Sequence, residues 1–319
     1  MKVSVIGCGR WGSFIAWYLD RIGHQVSLYG RESSQNMQRF LKTRSNNLLT
    51  LPESIALSTS LKEILDTADT IVISVNSQGL RNLMLQINEF NISQKFIVLC
   101  MKGIEIETGE RLSQVVEDYV DDSNKVAVWL GPGHVQEFYR NKPNCMVIDS
   151  KEPETIEYLI SQFSSDLIRF YYGDDLIGNE IGAAAKNVIG IAAGMLDGLD
   201  MSSLKGALMS RGTREIARLI KAMGGNELSA YGLCHLGDYE ATVFSQFSHN
   251  RRFGEAFVKG EDYSELAEGY YTVKAIMNLS EKYDVELPIC EAVYSVLYCG
   301  KDIKEVSSSL FMRSLKKEF

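Results

Sequence analysis

Apolar residues near the start of the chain recur with two different periods. Residues 3–6 form a short continuous apolar run, residues 11–22 carry an apolar stripe at helical spacing, and residues 26–29 form a second short run. Short apolar runs beside glycines are typical of buried strands, and a stripe that recurs every three or four residues is typical of an amphipathic helix. The pattern therefore predicts a strand, a helix and a second strand at the spacing of a βαβ unit.

The alternation of apolar runs and helical patterns continues to about residue 150. Four later runs are predicted as strands: residues 70–75, 96–100, 126–130 and 145–148. Helical patterns such as residues 80–90 and 109–119 lie between them. Strands and helices that alternate in this way predict an α/β fold of the Rossmann type, a parallel doubly wound sheet that binds ligands beyond the carboxyl ends of its strands.

The second half of the chain has a different pattern. From about Asp174 onward the β-branched runs disappear, and helical periods dominate to the C-terminus. A single hydrophobic core stops growing at roughly 250 to 300 residues, so a chain of 319 residues is better divided into two domains. We predict an α/β domain over residues 1–173 and an all-helical domain over residues 174–319.

Composition narrows the class of partner. The chain has 33 basic and 41 acidic side chains, and its net charge of −8 provides no broad positive field for nucleic acid or anionic lipid. Its 6 cysteines are scattered singly, a spacing that disfavours zinc sites and disulfides and indicates buried thiols in a reducing cytosol. The apolar runs are shorter than the roughly 18 residues of a membrane span, and a strand at residue 3 leaves no room for a signal peptide. We expect a cytoplasmic protein with a small-molecule substrate and with no metal, nucleic acid or membrane span.

The loop after the first strand reads Gly7-Cys8-Gly9-Arg10-Trp11-Gly12. In a dinucleotide site the first glycine of such a loop makes the tight turn, the second lets the backbone approach the pyrophosphate, and the third packs helix on strand. The bare N–H groups at the helix start then face the anion. We predict a site for NAD or NADP at Gly7, Gly9 and Gly12; the alternative is a glycine-rich turn that binds no nucleotide.

The choice of coenzyme has its own local signal. Arg31 follows the second strand, where an NAD site usually places an acid on the ribose 2′-hydroxyl. An arginine there suits the 2′-phosphate of NADP, while the neighbouring Glu32 keeps NAD open.

Lys186 is the one charged residue in the apolar helix predicted over residues 181–196. It projects among small residues that include Gly182 and Gly190, so a second element must approach that face closely. Desolvation in such a seam lowers the pKa of a lysine towards the range useful for proton transfer. The alternative is a surface lysine whose stem snorkels to water.

Polar residues follow the predicted strands, and others cluster near residue 250. Lys102, Asn76 and Gly131 come shortly after strands, where this fold exposes ligand contacts. Residues 248–254 combine His249, Asn250 and two arginines beside glycine, a set able to grip a phosphate, although such runs are often solvated loops.

Several motifs occur in a fixed order along the whole chain. They are the glycine loop, Lys102-Gly103-Ile104-Glu105, Gly131-Pro132, Lys186-Asn187, Gly237-Asp238 and Asn250-Arg251-Arg252-Phe253-Gly254. In this order the chain resembles the bacterial NAD(P)-dependent glycerol-3-phosphate dehydrogenases. The resemblance implies hydride transfer between NAD(P)H and dihydroxyacetone phosphate or sn-glycerol 3-phosphate, which supplies phospholipid synthesis. It also implies a homodimer, because related enzymes often pair.

The resemblance also implies roles for individual residues. Lys186 becomes the general acid/base and Lys102 a substrate and catalytic contact, while Asp238 and Thr242 orient the lysine and the substrate. The implied substrate contacts are Lys102, Gly131, Asn187, His249 and Asn250. The implied coenzyme contacts are Gly7, Gly9, Arg10, Trp11, Gly12, Arg31, Asn76, Arg251 and Glu268.

Four positions depart from the family pattern. His249 stands where the family has an arginine that holds the substrate phosphate, and an imidazole cannot make a bidentate clamp. Asn76 replaces a usual proline, Gly133 a usual serine, and Glu240 a usual apolar residue. Two alternatives therefore stay open: a related reductase of another phosphorylated or phosphonate 2-keto or hydroxy substrate, and a nucleotide-binding relative without turnover.

Overall fold

A computed structural model describes residues 1–314 and Lys317; residues 315, 316, 318 and 319 of the predicted helical domain lie outside the described residues. The N-terminal half is built on one eight-stranded sheet. Its strands are β1 (Lys2–Ile6), β2 (Gln25–Tyr29), β3 (Ala56–Ser58), β4 (Thr70–Ile73), β5 (Phe96–Leu99), β6 (Lys125–Leu130), β7 (Asn144–Ser150) and β8 (Ile168–Tyr172). Its helices are α1 (Arg10–Arg21), α2 (Gln35–Thr43), α3 (Leu61–Thr67), α4 (Leu80–Asn88), α5 (Leu112–Glu117), α6 (Val135–Tyr139) and α7 (Pro153–Phe163).

The strand order is β3-β2-β1-β4-β5-β6-β7-β8. The chain runs outward from β1 to β3 and then returns to place β4 on the other side of β1, so the order reverses between β1 and β4. Open α/β sheets bind ligands at such a switch point, beyond the carboxyl ends of the strands. The predicted α/β class and Rossmann-type sheet are confirmed.

The prediction of a wholly parallel sheet is wrong at one pairing, because β7 runs antiparallel to β6. The connection between them contains only the five-residue helix α6, whereas a parallel return needs a longer crossover. The sequence patterns also miss both edge strands. β3 has only three residues, and most of β8 is exposed, so neither forms a continuous apolar run.

The second half of the described chain is helical, as predicted. Its helices are α8 (Leu176–Gly198), α9 (Lys205–Ala222), α10 (His249–Lys259), α11 (Glu268–Tyr283), α12 (Pro288–Cys299) and α13 (Ile303–Phe311). A short turn at Leu236–Asp238 and a π-helical turn at Glu240–Phe244 precede α10. Across the residues that the structure describes, no helix combines the length and apolarity needed to cross a membrane.

α8 is the central helix of this half. Every residue from Gly178 to Met195 is buried, and α9, α10, α11 and α12 pack around the helix. A helix that is apolar on all sides needs cover on all sides. α8 also contacts β6 and β7, so it joins the helical half to the sheet.

The cysteines follow the prediction only in part. Cys8, Cys100, Cys234 and Cys290 are buried, but Cys145 is half-buried and Cys299 is exposed. Cys299 is the last residue of α12, which ends at a left-handed Gly300, and the end of a helix offers its last side chain little cover.

Candidate functional site

Three glycines shape the loop between β1 and α1. Gly7 has a φ of +116°, and a Cβ there would lie 2.1 Å from the carbonyl oxygen of Ser74. A Cβ at Gly12 would lie 1.9 Å from the carbonyl oxygen of Gly7, whereas a Cβ at Gly9 would meet nothing within 4 Å. Gly7 therefore makes the turn, Gly12 lets helix and loop touch, and Gly9 leaves open space beside the backbone.

The start of α1 has the properties of an anion site. Gly9 is the N-cap residue and provides no side-chain hydrogen bond, so no cap side chain competes for the first N–H groups of the helix. A helix start of this kind, next to the switch point of the sheet, is where Rossmann-type proteins hold a pyrophosphate. The cradle at Gly9 fits NAD or NADP.

Other predicted coenzyme residues lie along the same edge of the sheet. Glu268 begins α11, and its carboxylate accepts a hydrogen bond of 2.7 Å from the Ser77 hydroxyl, which follows β4. Burial raises the pKa of Glu268. Asn76 is exposed and caps the turn at Ser77–Gly79, and Arg31 is exposed just beyond β2.

Two lysines share one buried carboxylate where the two halves of the molecule meet. The Lys186 ammonium lies 3.1 Å from Asp238 Oδ2 and donates a hydrogen bond of 2.7 Å to Thr242 Oγ1. The Lys102 ammonium donates to the same Asp238 Oδ2 at 2.5 Å and to the carbonyl oxygen of Gly131 at 2.6 Å. The side chain of Asp238 is only 1% exposed. The structure therefore brings five predicted residues together, from the loops that follow β5 and β6, from α8 and from the turns before α10.

The electrostatics of this cluster suit proton transfer near neutral pH. Burial lowers the pKa of Lys186 to about 8, while the Asp238 carboxylate opposes that shift and the Lys102 ammonium adds to it. Two ammonium groups and one carboxylate leave an excess of one positive charge in a buried site. Such a site favours an anionic substrate and a negative charge that develops on a reacting oxygen.

The small residues of α8 explain how a lysine comes to be buried there. A Cβ at Gly190 would lie 2.7 Å from Thr242 Cγ2, and a Cβ at Gly194 would lie 1.9 Å from the carbonyl oxygen of Arg251. The turns before α10 and α10 itself therefore rest directly on the backbone of α8. The prediction of a closely approached face around Lys186 is confirmed.

A chain of amides continues the site along α8 and α10. Asn250 donates a hydrogen bond of 3.0 Å to the side-chain oxygen of Asn187 and accepts one of 2.9 Å from the backbone N–H of Gly269. Asn187 follows Lys186 directly, so this chain links the buried lysine to the start of α11.

His249 begins α10 and contacts a residue of the glycine loop. Its Nε2 is hydrogen-bonded to Arg10 Nη1, and its Nδ1 lies 2.8 Å from Glu265 Oε2 and 2.9 Å from the Tyr263 hydroxyl. The structure thus joins Arg10, a predicted coenzyme residue of the N-terminal half, to His249, a predicted substrate residue of the helical half.

Two predicted coenzyme residues are engaged within the protein. The ring of Trp11 packs against Phe14, with ring centroids 5.2 Å apart. The Arg251 guanidinium lies 2.6 Å from Asp197 Oδ2 and 3.0 Å from Glu255 Oε2. The predicted contact of these two residues with a coenzyme stays a prediction.

Sequence reasoning missed His134. Its Nε2 is buried and has no hydrogen-bond partner among residues 1–314 and 317. Burial lowers the pKa of His134, and the Lys186 ammonium adds to that shift. An unpaired buried nitrogen is costly unless a ligand or water meets it, so His134, close enough to the Lys186 ammonium to feel its charge, is a further candidate ligand contact. The available signal was its place after Gly131-Pro132-Gly133, at the carboxyl end of β6.

Among the described residues, no group of three His, Cys, Asp or Glu side chains is arranged to hold a metal ion.

Known proteins resemble this chain over its whole length. Family models described as NAD-dependent glycerol-3-phosphate dehydrogenase N-terminus and C-terminus match residues 2–156 and 175–308. The chain is 36% identical over 329 residues to a protein of Thermoanaerobacter sp. (strain X514) named as an NAD(P)+ glycerol-3-phosphate dehydrogenase, covering 100% of this chain and 99% of the relative. A protein of the same name from Fusobacterium nucleatum is 35% identical over 331 residues, covering 100% and 98%. A crystal structure of glycerol-3-phosphate dehydrogenase from Coxiella burnetii matches with a TM-score of 0.92 at 28% identity, covering 98% of this chain and 99% of that one.

Proposed function

Because the chain belongs to the NAD-dependent glycerol-3-phosphate dehydrogenase family, we propose that it reduces dihydroxyacetone phosphate to sn-glycerol 3-phosphate with NADPH or NADH. The observation that carries this proposal is the buried Lys186 ammonium, held between Asp238 and Thr242 in a chain whose first loop fits a dinucleotide. The glycerol phosphate formed in this way supplies phospholipid synthesis.

Each half of the chain contributes one part of the site. Residues 1–173 hold the coenzyme at Gly7, Gly9 and Gly12, with Glu268 reaching over from α11. Residues 174–319 supply Lys186, Asp238 and the amides that face the substrate. When bound, the nicotinamide coenzyme supplies the hydride.

Lys186 handles the proton. As the substrate carbonyl carbon is reduced, its oxygen gains negative charge, and the Lys186 ammonium stabilises that charge and transfers a proton to it. The neutral amine that remains takes a proton from solvent before the next cycle. In the oxidation direction the neutral amine accepts the proton of the substrate hydroxyl. A pKa of about 8 keeps both forms of Lys186 accessible near neutral pH.

Asp238, Thr242 and Lys102 position Lys186 and the substrate. The Asp238 carboxylate keeps two ammonium groups 2.5 Å and 3.1 Å from one oxygen, and the Thr242 hydroxyl fixes the direction of the Lys186 amine. Without Asp238 the two cations would be buried together unpaired, which is costly.

The test is the loss of NADPH or NADH absorbance when dihydroxyacetone phosphate is added to the purified protein. We expect turnover with at least one coenzyme and loss of turnover in Lys186→Met, which keeps the length of the side chain but removes the amine. Absence of turnover with both coenzymes would reject the proposed function.

The second candidate is a related reductase of another phosphorylated or phosphonate 2-keto or hydroxy substrate. The observation that favours it is the Glu265 carboxylate, 2.8 Å from His249, near the place of the implied phosphate contact. A panel of such substrates, assayed with both coenzymes, separates the two candidates by their kcat/KM values.

We also propose that the enzyme is a cytoplasmic homodimer. The resemblance to paired enzymes supports the dimer, as do the exposed side chains of Phe311 and Met312 at the end of α13. Sedimentation equilibrium of the full chain tests the dimer, and fractionation of the producing cells tests the location.

A further inference from the structure

Arg10 connects the two halves of the molecule. It is the first residue of α1, and its half-buried guanidinium donates to His249 Nε2 at the start of α10. It also donates a longer hydrogen bond, of 3.4 Å, to Gln136 Oε1 on α6. The side chain therefore leaves the glycine loop and points towards segments that flank the substrate residues.

The hydrogen-bonding pattern fixes the state of His249. A guanidinium has only donors, so the His249 Nε2 that faces Arg10 has to accept and carries no proton. The ring proton then lies on Nδ1, which faces Glu265 Oε2 at 2.8 Å and the Tyr263 hydroxyl at 2.9 Å. Burial and the Arg10 guanidinium lower the pKa of His249, in keeping with a neutral ring. His249 is thus an acceptor that orients Arg10, and the positive charge of the pair belongs to Arg10.

The charge of Arg10 lies close to the predicted substrate residues. His249 is followed by Asn250, whose amide donates to Asn187, and Asn187 follows the buried Lys186. We propose that Arg10, held in place by His249, binds the phosphate of the substrate and takes the part that the family gives to an arginine at position 249. This inference rests on the proposed function, because it assigns a residue to the phosphate of that substrate.

The donor inventory of Arg10 leaves room for a phosphate. A guanidinium carries five N–H donors, and two residues, His249 and Gln136, accept from Arg10 within the part of the chain that the structure describes. The remaining donors suit a planar, bidentate contact with phosphate oxygens. Glu265 is the nearby anion, and its other carboxylate oxygen lies 3.6 Å from Arg252, so its charge is shared with a second cation.

The test separates the phosphate of the substrate from the phosphates of the coenzyme. KM is measured for dihydroxyacetone phosphate, for unphosphorylated dihydroxyacetone and for the coenzyme in the wild type, Arg10→Ala, Arg10→Lys and His249→Ala. Arg21→Ala is the matched control, because it removes an arginine from the other end of the same helix. The double variant Arg10→His with His249→Arg exchanges the two residues of the pair, so that the guanidinium is supplied from the start of α10.

We expect Arg10→Ala to raise KM for dihydroxyacetone phosphate about 10- to 100-fold, the loss of charge-assisted hydrogen bonds to one anion. KM for dihydroxyacetone and for the coenzyme stays close to that of the wild type. Arg10→Lys retains the charge but loses the planar pair of N–H donors, so its KM for dihydroxyacetone phosphate lies between those of the wild type and Arg10→Ala. His249→Ala raises the same KM by less than Arg10→Ala, and the double variant recovers most of the affinity.

Three results would overturn the assignment. If Arg10→Ala raises only the KM for the coenzyme, Arg10 is a pyrophosphate ligand. If Arg10→Ala leaves the KM for dihydroxyacetone phosphate unchanged while His249→Ala raises it, the imidazole is the phosphate ligand. Calorimetric binding of glycerol 3-phosphate to the protein loaded with reduced coenzyme, with which it cannot react, is measured in parallel. If the wild type turns over no dihydroxyacetone phosphate, the proposed function fails. If wild type and Arg10→Ala bind glycerol 3-phosphate equally, or if neither binds it, the role of Arg10 is overturned whether or not the proposed function holds.

Discussion

Gly9→Ala is expected to weaken coenzyme binding without destabilising the protein, whereas Gly12→Ala is expected to destabilise the protein itself. A methyl group at Gly9 meets no protein atom within 4 Å, and the φ of −73° at this residue is open to alanine. A methyl group at Gly12 would lie 1.9 Å from the carbonyl oxygen of Gly7, which is backbone and cannot rotate away. Gly9→Ala therefore tests the open space as a ligand site, and Gly12→Ala tests the contact between helix and loop.

The magnitudes follow from these two environments. Gly9→Ala stiffens the unfolded chain and is expected to leave the free energy of unfolding unchanged or to raise it by about 0.4 to 1 kcal/mol. The same methyl group blocks the approach of a pyrophosphate, and hydrogen bonds to a charged group contribute about 1.5 to 3 kcal/mol, or roughly 10- to 100-fold in Kd. Gly12→Ala has to move α1 away from its loop, and overpacking of this kind costs about 1 to 3 kcal/mol.

Two measurements on each variant separate these effects. Coenzyme Kd is measured by titration of protein fluorescence, and thermal unfolding is followed without coenzyme. We expect Gly9→Ala to bind coenzyme weakly at a wild-type Tm, and Gly12→Ala to lose both binding and several degrees of Tm. A Gly9→Ala variant that binds coenzyme as tightly as the wild type would refute the assignment of the open space to the pyrophosphate.

Four further predictions concern charge. The rate of reduction is expected to fall as pH rises through about 8, because the Lys186 ammonium loses its proton there. The rate of oxidation is expected to rise over the same range. Rates measured against pH in both directions check this, and profiles that are flat near pH 8 would contradict it. Lys186→Met should lower kcat by about 10²- to 10⁴-fold at an unchanged coenzyme Kd. Asp238→Asn removes the carboxylate that opposes the low pKa of Lys186, so the fall in the rate of reduction should move to lower pH; a fall at the wild-type pH would show that Asp238 does not act through the lysine. Arg31→Ala should weaken the binding of NADPH by roughly 10- to 100-fold and change the binding of NADH little. Initial rates measured at varied concentrations of each coenzyme check this. Equal effects on both coenzymes would place Arg31 away from the 2′-phosphate.

The features that sequence predicted well are those set by local periodicity. The run before Gly7, the stripe of α1 and the apolar helix around Lys186 each follow from spacing within one element. Small residues beside Lys186 indicated a close neighbour because a helix face without large side chains has to be covered by something. The identity of that neighbour, the turn that carries Thr242, lies 56 residues away and left no local signal.

The features that sequence could not predict depend on contacts between distant segments. The antiparallel pairing of β7 follows from how the short α6 connection folds back, which no apolar run encodes. The contact between Arg10 and His249 joins positions 239 residues apart. In the sequence alone, His249 is only a departure from the family pattern and Arg10 is only a polar residue of the glycine loop. His134 is recognisable only once its nitrogen is seen to be buried without a partner in the described chain.

The burial of α8 on all sides has a consequence for how the protein is made. The helices that cover α8 are α9, α10, α11 and α12, and all of them come later in the chain. On the ribosome, α8 therefore leaves the exit tunnel well before α10, α11 and α12, with part of its apolar surface in water and open to chaperones. Nascent chains that stall between residues 198 and 299 should be prone to aggregation and proteolysis, since the last of these covering helices ends at Cys299.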